Sequence, residues 1–355
     1  MPAPSPADEM QDGMNTSITK SPVTIVDVAR SAGVSHSTVS RVLNGRPYIK
    51  AETRRRVMDA AEQLGYVANL KARGLAGGRL GVIGFVVESL DGSYQTDMVR
   101  GVDLALAEAG LELMLCTTHQ REQRESSYVS RLSIGLVDGL IVVAAQSVDR
   151  YSKDLSSRKF PFVLLDHAGS KLANSVVATD AQGTLDAVGH LAGRGHRRIA
   201  YLAGNPAATR IGNDRLDGFR QAIGTFAIDD DQALIRAGDG SPRWGREAVI
   251  ELLDLPRPPT AIVAGSDHLA LATLAELAER GIDVPGRLSV VGFDDLPEAT
   301  LVTPQLTTVR QPRDEMGRRA VALLLDQIDQ VERPVAHLEV PTELVVRQST
   351  GPVPG

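Results

Sequence analysis

The chain is poor in several residue types, and each shortage narrows what it can be. It has one cysteine, one tryptophan and only 4% aromatic residues in 355. A lone Cys116 cannot close an internal disulfide, and its place in the apolar run LELMLC reads as a small core residue. No apolar run approaches the ~18 residues that a membrane-spanning helix needs. The start, MPAPSPADEMQDGM, has neither a basic opening nor an apolar stretch, so it does not read as a secretory signal. Residues 1–21 are expected to be a disordered tail, and the protein cytoplasmic. The seven histidines are scattered without metal-ligand spacing, so no metal is expected. GRGHRRIAYLAG and GLAGGRLG lack the glycine order of a phosphate-cradling turn, so no cofactor is expected either. His167 beside Asp166 is the nearest thing to a catalytic pair, and adjacency in a loop is weak ground for one. The chain reads as a non-enzyme.

What is present is a soluble composition, 43% hydrophobic and 23% charged, with length for two or three domains. Charge is unevenly spread. Residues 20–79 carry eleven Lys/Arg against four acids, a net of +7, whereas residues 1–19 carry −3 and residues 80–355 carry −10. A basic segment of this size on an acidic body is the electrostatic footprint of a DNA-reading module. Its sequence agrees. In VTIVDVARSAGVSHSTVSRVLN, Thr24 can cap a first helix with Asp27 reaching back, and Gly33 supplies the positive φ of a tight turn. Ser35 can cap a second helix from His36 to Leu43, with Val39, Val42 and Leu43 inward. His36, Ser37, Ser40, Arg41 and Asn44 are left on the outer side. That is the pattern of a helix-turn-helix, whose second helix enters the major groove.

These residues also resemble, nearly position for position, the headpiece of the lactose/galactose repressor (LacI/GalR) family, and the likeness extends over about residues 22–348. It implies a headpiece over 22–68, closed by a third helix from Thr53 to Leu64 with Val57, Ala60, Ala61 and Leu64 inward. Lys50 stands where the family usually has a capping Ser. His36, Ser37 and Arg41 would face base edges, with Arg41 suited to a bidentate contact to guanine. Thr38, Ser40 and Asn44 would hold phosphate and register, and Thr24, Ser35, Tyr66 and Asn69 complete the DNA-binding set. At least one of Arg54, Arg55 and Arg56 is expected on phosphate. Residues 69–79 would be a hinge helix, with Leu75 wedging into the minor groove. The partners implied are an operator duplex, a second copy of the chain and a small-molecule effector, with no membrane. The ending RQSTGPVPG leaves no room for a tetramerising heptad tail, so a homodimer is expected.

From Leu80 buried strands alternate with helices, which means parallel sheets clad by helices, with ligands at the carboxyl ends of the strands. The fold class expected is an all-α helix-turn-helix headpiece plus an α/β core like a periplasmic binding protein, with two Rossmann-like lobes. The first lobe is placed at about 80–180 and 311–330, the second at about 181–310 and 331–348, and 349–355 is a tail. Polar residues just past strand ends mark a cleft. A carboxylate or guanidinium there offers paired hydrogen bonds to vicinal hydroxyls. The resemblance assigns Arg215 and Asp294 as effector contacts, with Asp166, Ser266 and Gln311 at or near the pocket and Tyr94 as a stacking aromatic. Where the family often has an aromatic this chain has Gly240, and Trp244 follows one helical turn later as a substitute cleft residue. The effector expected is a sugar; Arg210, in a loop one residue longer than usual, keeps a purine as the alternative. A transport-type binding protein is disfavoured by the headpiece.

Overall fold

In a computed structural model, residues 23–43, 49–66 and 79–355 are described, except positions 92, 120, 144–145, 168–169, 205–209 and 331–333 and the side chains of 210–212. The chain separates into two compact units, Met1–Arg79 and Leu80–Gly355.

In the first unit α1 (Ile25–Ala32), α2 (His36–Leu43) and α3 (Ala51–Leu64) enclose a small core of Val28, Ala29, Ala32, Val39, Val42, Val57, Ala60 and Ala61. Thr24 and Asp27 form a reciprocal capping box on α1, and Gly33 closes that helix at φ 62°. Lys50 sits at the N-cap of α3 and makes no side-chain cap bond. Leu64, expected to face inward, is 37% exposed, because it ends the helix beyond the last turn that meets α1 and α2. The hinge segment lies outside the described residues.

The second unit holds two six-stranded sheets. The first runs β11-β5-β4-β3-β1-β2, from β1 (Val82–Val87), β2 (Glu112–Thr117), β3 (Gly139–Val143), β4 (Phe162–Leu165), β5 (Asn174–Ala178) and β11 (His337–Val340). Every pairing in it is parallel. Its helices are α4 (Ser93–Glu108), α5 (Glu122–Leu132), α6 (Val148–Ser157) and α11 (Arg313–Ile328). The second sheet contains β6 (Ile199–Ala203), β7 (Ile235–Ala237), β8 (Ala261–Ala264), β9 (Ser289–Asp294), β10 (Thr307–Arg310) and β12 (Glu343–Val345), and only β12 runs antiparallel. It is clad by α7 (Asp180–Gly193), α8 (Arg210–Phe226), α9 (Pro242–Leu253) and α10 (Asp267–Glu279). Strands β1, β3, β4, β6, β8 and β9 are buried on both faces, as parallel strands between helix layers must be.

Two boundaries differ from expectation. Residues 337–340, assigned from sequence to the second lobe, pair with β5 in the first, with His337 Nδ1 2.8 Å from Ser175 Oγ. The chain leaves α11 beside that sheet edge and completes it before crossing. The supposed tail from 349 begins inside the second lobe. Ser349 is fully buried, accepts from Thr307 N and donates to Val290 O, and Gly351 O meets His196 Nε2 at 3.1 Å. The chain therefore crosses between lobes at 179, 311–312 and 341–342. The first and last crossings are tied, since Thr342 N donates to Thr179 Oγ1 at 3.0 Å and Thr342 Oγ1 to Thr179 O at 3.2 Å.

Candidate functional site

On the headpiece, His36, Ser37 and Arg41 are exposed on α2, while Ser40 and Thr38 are half-buried. Ser35 accepts from Thr38 N at 3.2 Å, so it caps α2, and its hydroxyl also lies 2.9 Å from Ser37 Oγ and 2.8 Å from Thr38 Oγ1. Thr24 is likewise occupied in capping α1. Tyr66 packs on the headpiece core, half-buried. Arg56 donates from Nη2 to the carbonyls of Ala32 and Gly33 at the end of α1, where a helix dipole favours a cation. Asn44, Asn69 and Leu75 lie outside the described residues.

Between the lobes of the second unit, polar side chains converge from strand ends and helix N-termini. Asp166 follows β4, Asp294 ends β9, Gln311 follows β10, Asp180 opens α7, Arg215 lies on α8 and Tyr94 is in the first turn of α4. Asp166, Asp294 and Asp295 have φ of 57°, 116° and 53°. Left-handed backbone at a residue with a Cβ costs on the order of 1–3 kcal/mol and persists only where the surroundings enforce it. Here Asp166 N donates to Val176 O at 2.8 Å, and Leu296 N to the buried Asp267 Oδ2 at 2.8 Å. Asp267 Oδ1 accepts from Thr308 Oγ1 at 2.5 Å. Position 292 must be Gly, since a Cβ there would lie 2.1 Å from Asp267 Oδ1.

The side chains form one hydrogen-bonded string. The Tyr94 hydroxyl donates to Asp166 Oδ2 at 2.6 Å and lies 3.3 Å from Gln311 Oε1. Gln311 Nε2 donates to Asp294 Oδ1 at 2.7 Å. Arg215 reaches Asp294 Oδ1 and Asp180 Oδ1, each at 3.2 Å, donates to Gly265 O at 2.6 Å, and lies 3.9 Å over the Phe293 ring. The group is buried: Asp166, Asp180, Asp294, Arg215 and Gln311 all have little exposure. Burial raises the pKa of Asp166 and Asp294, and pushes Asp180 up to about 7 against the pull of Arg215. Burial, then the Asp294 charge, pushes Asp267 up to about 8. Burial opposes the Arg215 charge, but Asp180 and Asp294 outweigh it and raise its pKa. Among the described residues, the buried carboxylates of Asp166, Asp180, Asp267 and Asp294 are gathered here with two buried guanidinium groups, Arg215 and Arg313, and Asp166 Oδ1 has no hydrogen-bond partner. Among the described residues the site is short of donors.

Two family descriptions match this chain, bacterial regulatory proteins of the lacI family over residues 24–69 and a periplasmic binding protein-like domain over 188–350. Catabolite control protein A of Priestia megaterium is 32% identical over 92% of this chain and 99% of its own length. The chain belongs to the lacI family. It is a DNA-binding transcription regulator with a helix-turn-helix headpiece and a periplasmic-binding-protein-like core. Among solved structures, the lac repressor dimer bound to operator and the anti-inducer ONPF is 29% identical with a TM-score of 0.82, covering 93% of this chain and 100% of that one. A complex of the transcriptional regulator CelR with cellobiose is 32% identical with a TM-score of 0.69, covering 92% and 99%.

Of the cleft residues expected in this lacI-family chain, Tyr94, Asp166, Arg215, Asp294 and Gln311 are brought together. The Ser266 hydroxyl accepts from Leu269 N as the N-cap of α10. Trp244 is not one of the hydrogen-bonded residues of the string. It packs with the core between α9 and α10, and its indole lies so close to Gly238 that a Cβ there would sit 2.1 Å from the ring. Asp180 was missed, and so was Arg313 with its partner Asp97 on α4, whose Oδ2 accepts from Arg313 Nη2 at 2.8 Å. Asp180 carried a usable signal, an acid directly after the apolar run SVVAT. Arg313 carried none, because RQPRDE reads as a solvated helix start.

Proposed function

We propose that this protein represses transcription as a homodimer on a near-palindromic operator, and that a neutral polyhydroxylated effector of the sugar class controls it through the cleft. The observation that carries the effector class is the donor shortage among the described residues: Asp166 Oδ1 is buried without a partner there, in a string already rich in carboxylates. Hydroxyl groups supply donors, whereas a phosphate or carboxylate would add acceptors and charge where both are in excess. Asp166, Arg215, Asp294 and Gln311 are the contacts, with Tyr94 as the apolar wall, and the cellobiose complex of a relative favours the same class. A second copy is supported by the free edge of the first sheet, where β2 and the neighbouring α4 leave Leu115 and Leu104 37% and 52% exposed.

Effector binding shifts operator affinity by its differential affinity for two lobe arrangements. The test is a thermal-shift screen of the full chain over mono- and disaccharides, sugar phosphates and purines. At 100 times its Kd a ligand stabilises by ~2.7 kcal/mol, so a true effector raises Tm measurably. A neutral sugar is expected to do so, and stabilisation only by a purine or an anion would refute the class. In parallel, selection from genomic fragments is expected to return a twofold site. Leu75→Ala is expected to weaken that site far more than random duplex.

A further inference from the structure

Arg313 is not part of the string of effector contacts, yet it touches both lobes. It is 6% exposed at the start of α11, which packs in the first lobe. Its Nη2 and Nε reach Asp97 Oδ2 on α4 at 2.8 and 3.2 Å. The other side of the guanidinium is turned to the second lobe. There Nη1 donates to the carbonyl of Asp294, and Nη2 lies 3.4 Å from that of Asp295. These two carbonyls belong to the left-handed pair that aims the Asp294 carboxylate at Arg215 and Gln311. The guanidinium carbon also sits 5.5 Å over the Tyr94 ring, within cation–π range.

We infer that Arg313, oriented by Asp97, is the positioning residue that fixes the closing angle of the two lobes. The planar fork has donors on both sides, so one cation holds a carboxylate of one lobe and two carbonyls of the other. Rotating the second lobe away removes the carbonyls and leaves buried N–H groups unpaired, which is the costly half of a broken hydrogen bond. The first-lobe side cannot follow. Helices α4 and α11 meet backbone to backbone: a Cβ at Gly101 would lie 2.7 Å from Asp314 Cα, and one at Gly317 2.9 Å from Val102 N. Asp97 is held in turn, with Oδ1 3.5 Å from Arg100 Nη2, which reaches Asp314 at 3.1 Å. Arg313 therefore keys the aromatic wall on α4 to the carboxylate loop after β9 directly, beside the longer route through Gln311. This goes beyond the effector reading and needs no assumption about the ligand.

The measurement uses a second contact across the cleft, Ser93 Oγ donating to Glu298 Oε2 at 3.1 Å. Full-length protein carrying Cys116→Ser, Ser93→Cys and Glu298→Cys is treated with a short bis-methanethiosulfonate linker, and the intramolecular bridging rate is followed by intact mass. Adding Arg313→Gln or Asp97→Asn is expected to slow bridging about fivefold, the population shift that one net hydrogen bond controls. Arg313→Lys keeps the charge but loses the fork and is expected to fall between. Melting curves establish that each variant is folded. Folded variants that bridge at the parent rate overturn the proposal. Asp97 is partly exposed, so Asp97→Asn is expected to fold; loss of cooperative melting there would make Asp97 a structural support and overturn its positioning role.

Discussion

Replacing Arg215 by Met removes a cation while keeping much of its length. The side chain is 8% exposed and makes charge-assisted contacts to Asp180, Asp294 and the Gly265 carbonyl. Taking one partner from a buried ion pair costs ~3–5 kcal/mol, because the remaining charge has no water to return to. At roughly 2–4 °C per kcal/mol for a unit of this size, the core transition should fall by about 6–20 °C. The loss should also depend on pH in a fixed direction. Asp180 already titrates near 7 in the folded protein against 3.8 as a free side chain, and Arg215 is one of the groups holding it down. Without the guanidinium both carboxylates bind protons more tightly in the folded state. A folded state that holds extra protons loses stability as pH rises through the raised pKa. The destabilisation should therefore be smaller at pH 5, where the folded carboxylates can be neutral, than at pH 8. Differential scanning calorimetry of parent and variant at both values decides it. An equal loss at pH 5 and pH 8 would show that the carboxylates are not left buried and charged, and the account of the cleft as a buried ionic string would be wrong.

Asp267→Asn keeps the shape of a carboxyl whose pKa is raised to about 8, so the wild type should lose stability between pH 4 and 8 relative to the variant; urea midpoints diverging the other way would count against this. Arg56→Met should weaken the headpiece by ~1 kcal/mol through the uncapped carbonyls of Ala32 and Gly33. Its effect on random-duplex binding should leave the salt slope unchanged, whereas a lost phosphate contact lowers that slope by ~0.9. Gly218→Ala places a Cβ 2.2 Å from Ala181 O, where α7 and α8 meet, and should cost ~1–3 kcal/mol or more, read from the core melting transition.

The headpiece was legible because its signals are local: a capping box, one positive-φ glycine and an apolar face of period 3.6, each within a few residues. Strand ends in the core were legible for the same reason, since a polar residue after a buried run marks the carboxyl edge of a parallel sheet. The lobe to which HLEV belongs was not, because four residues of mixed polarity carry no information about which sheet edge lies beside them. Trp244 was read from a neighbouring gap at Gly240, and the sequence did not show that the bare backbone of Gly238 admits the indole against it. Ser266 shows how one residue type serves two ends: a serine after a strand and before a helix is a cap first. Arg313 was hidden because its partners, Asp97 and the main-chain carbonyls of Asp294 and Asp295, lie 216, 19 and 18 residues back along the chain, on two different lobes.

The thrice-crossed connection has a bearing on synthesis. The first sheet lacks its edge strand until residue 340 is in place, and the second has neither β12 nor the Ser349 bolt on β9 until later still. A nascent polypeptide halted between β10 and β11 exposes two unfinished sheets at once, so translation products interrupted there should be prime substrates for cellular proteases.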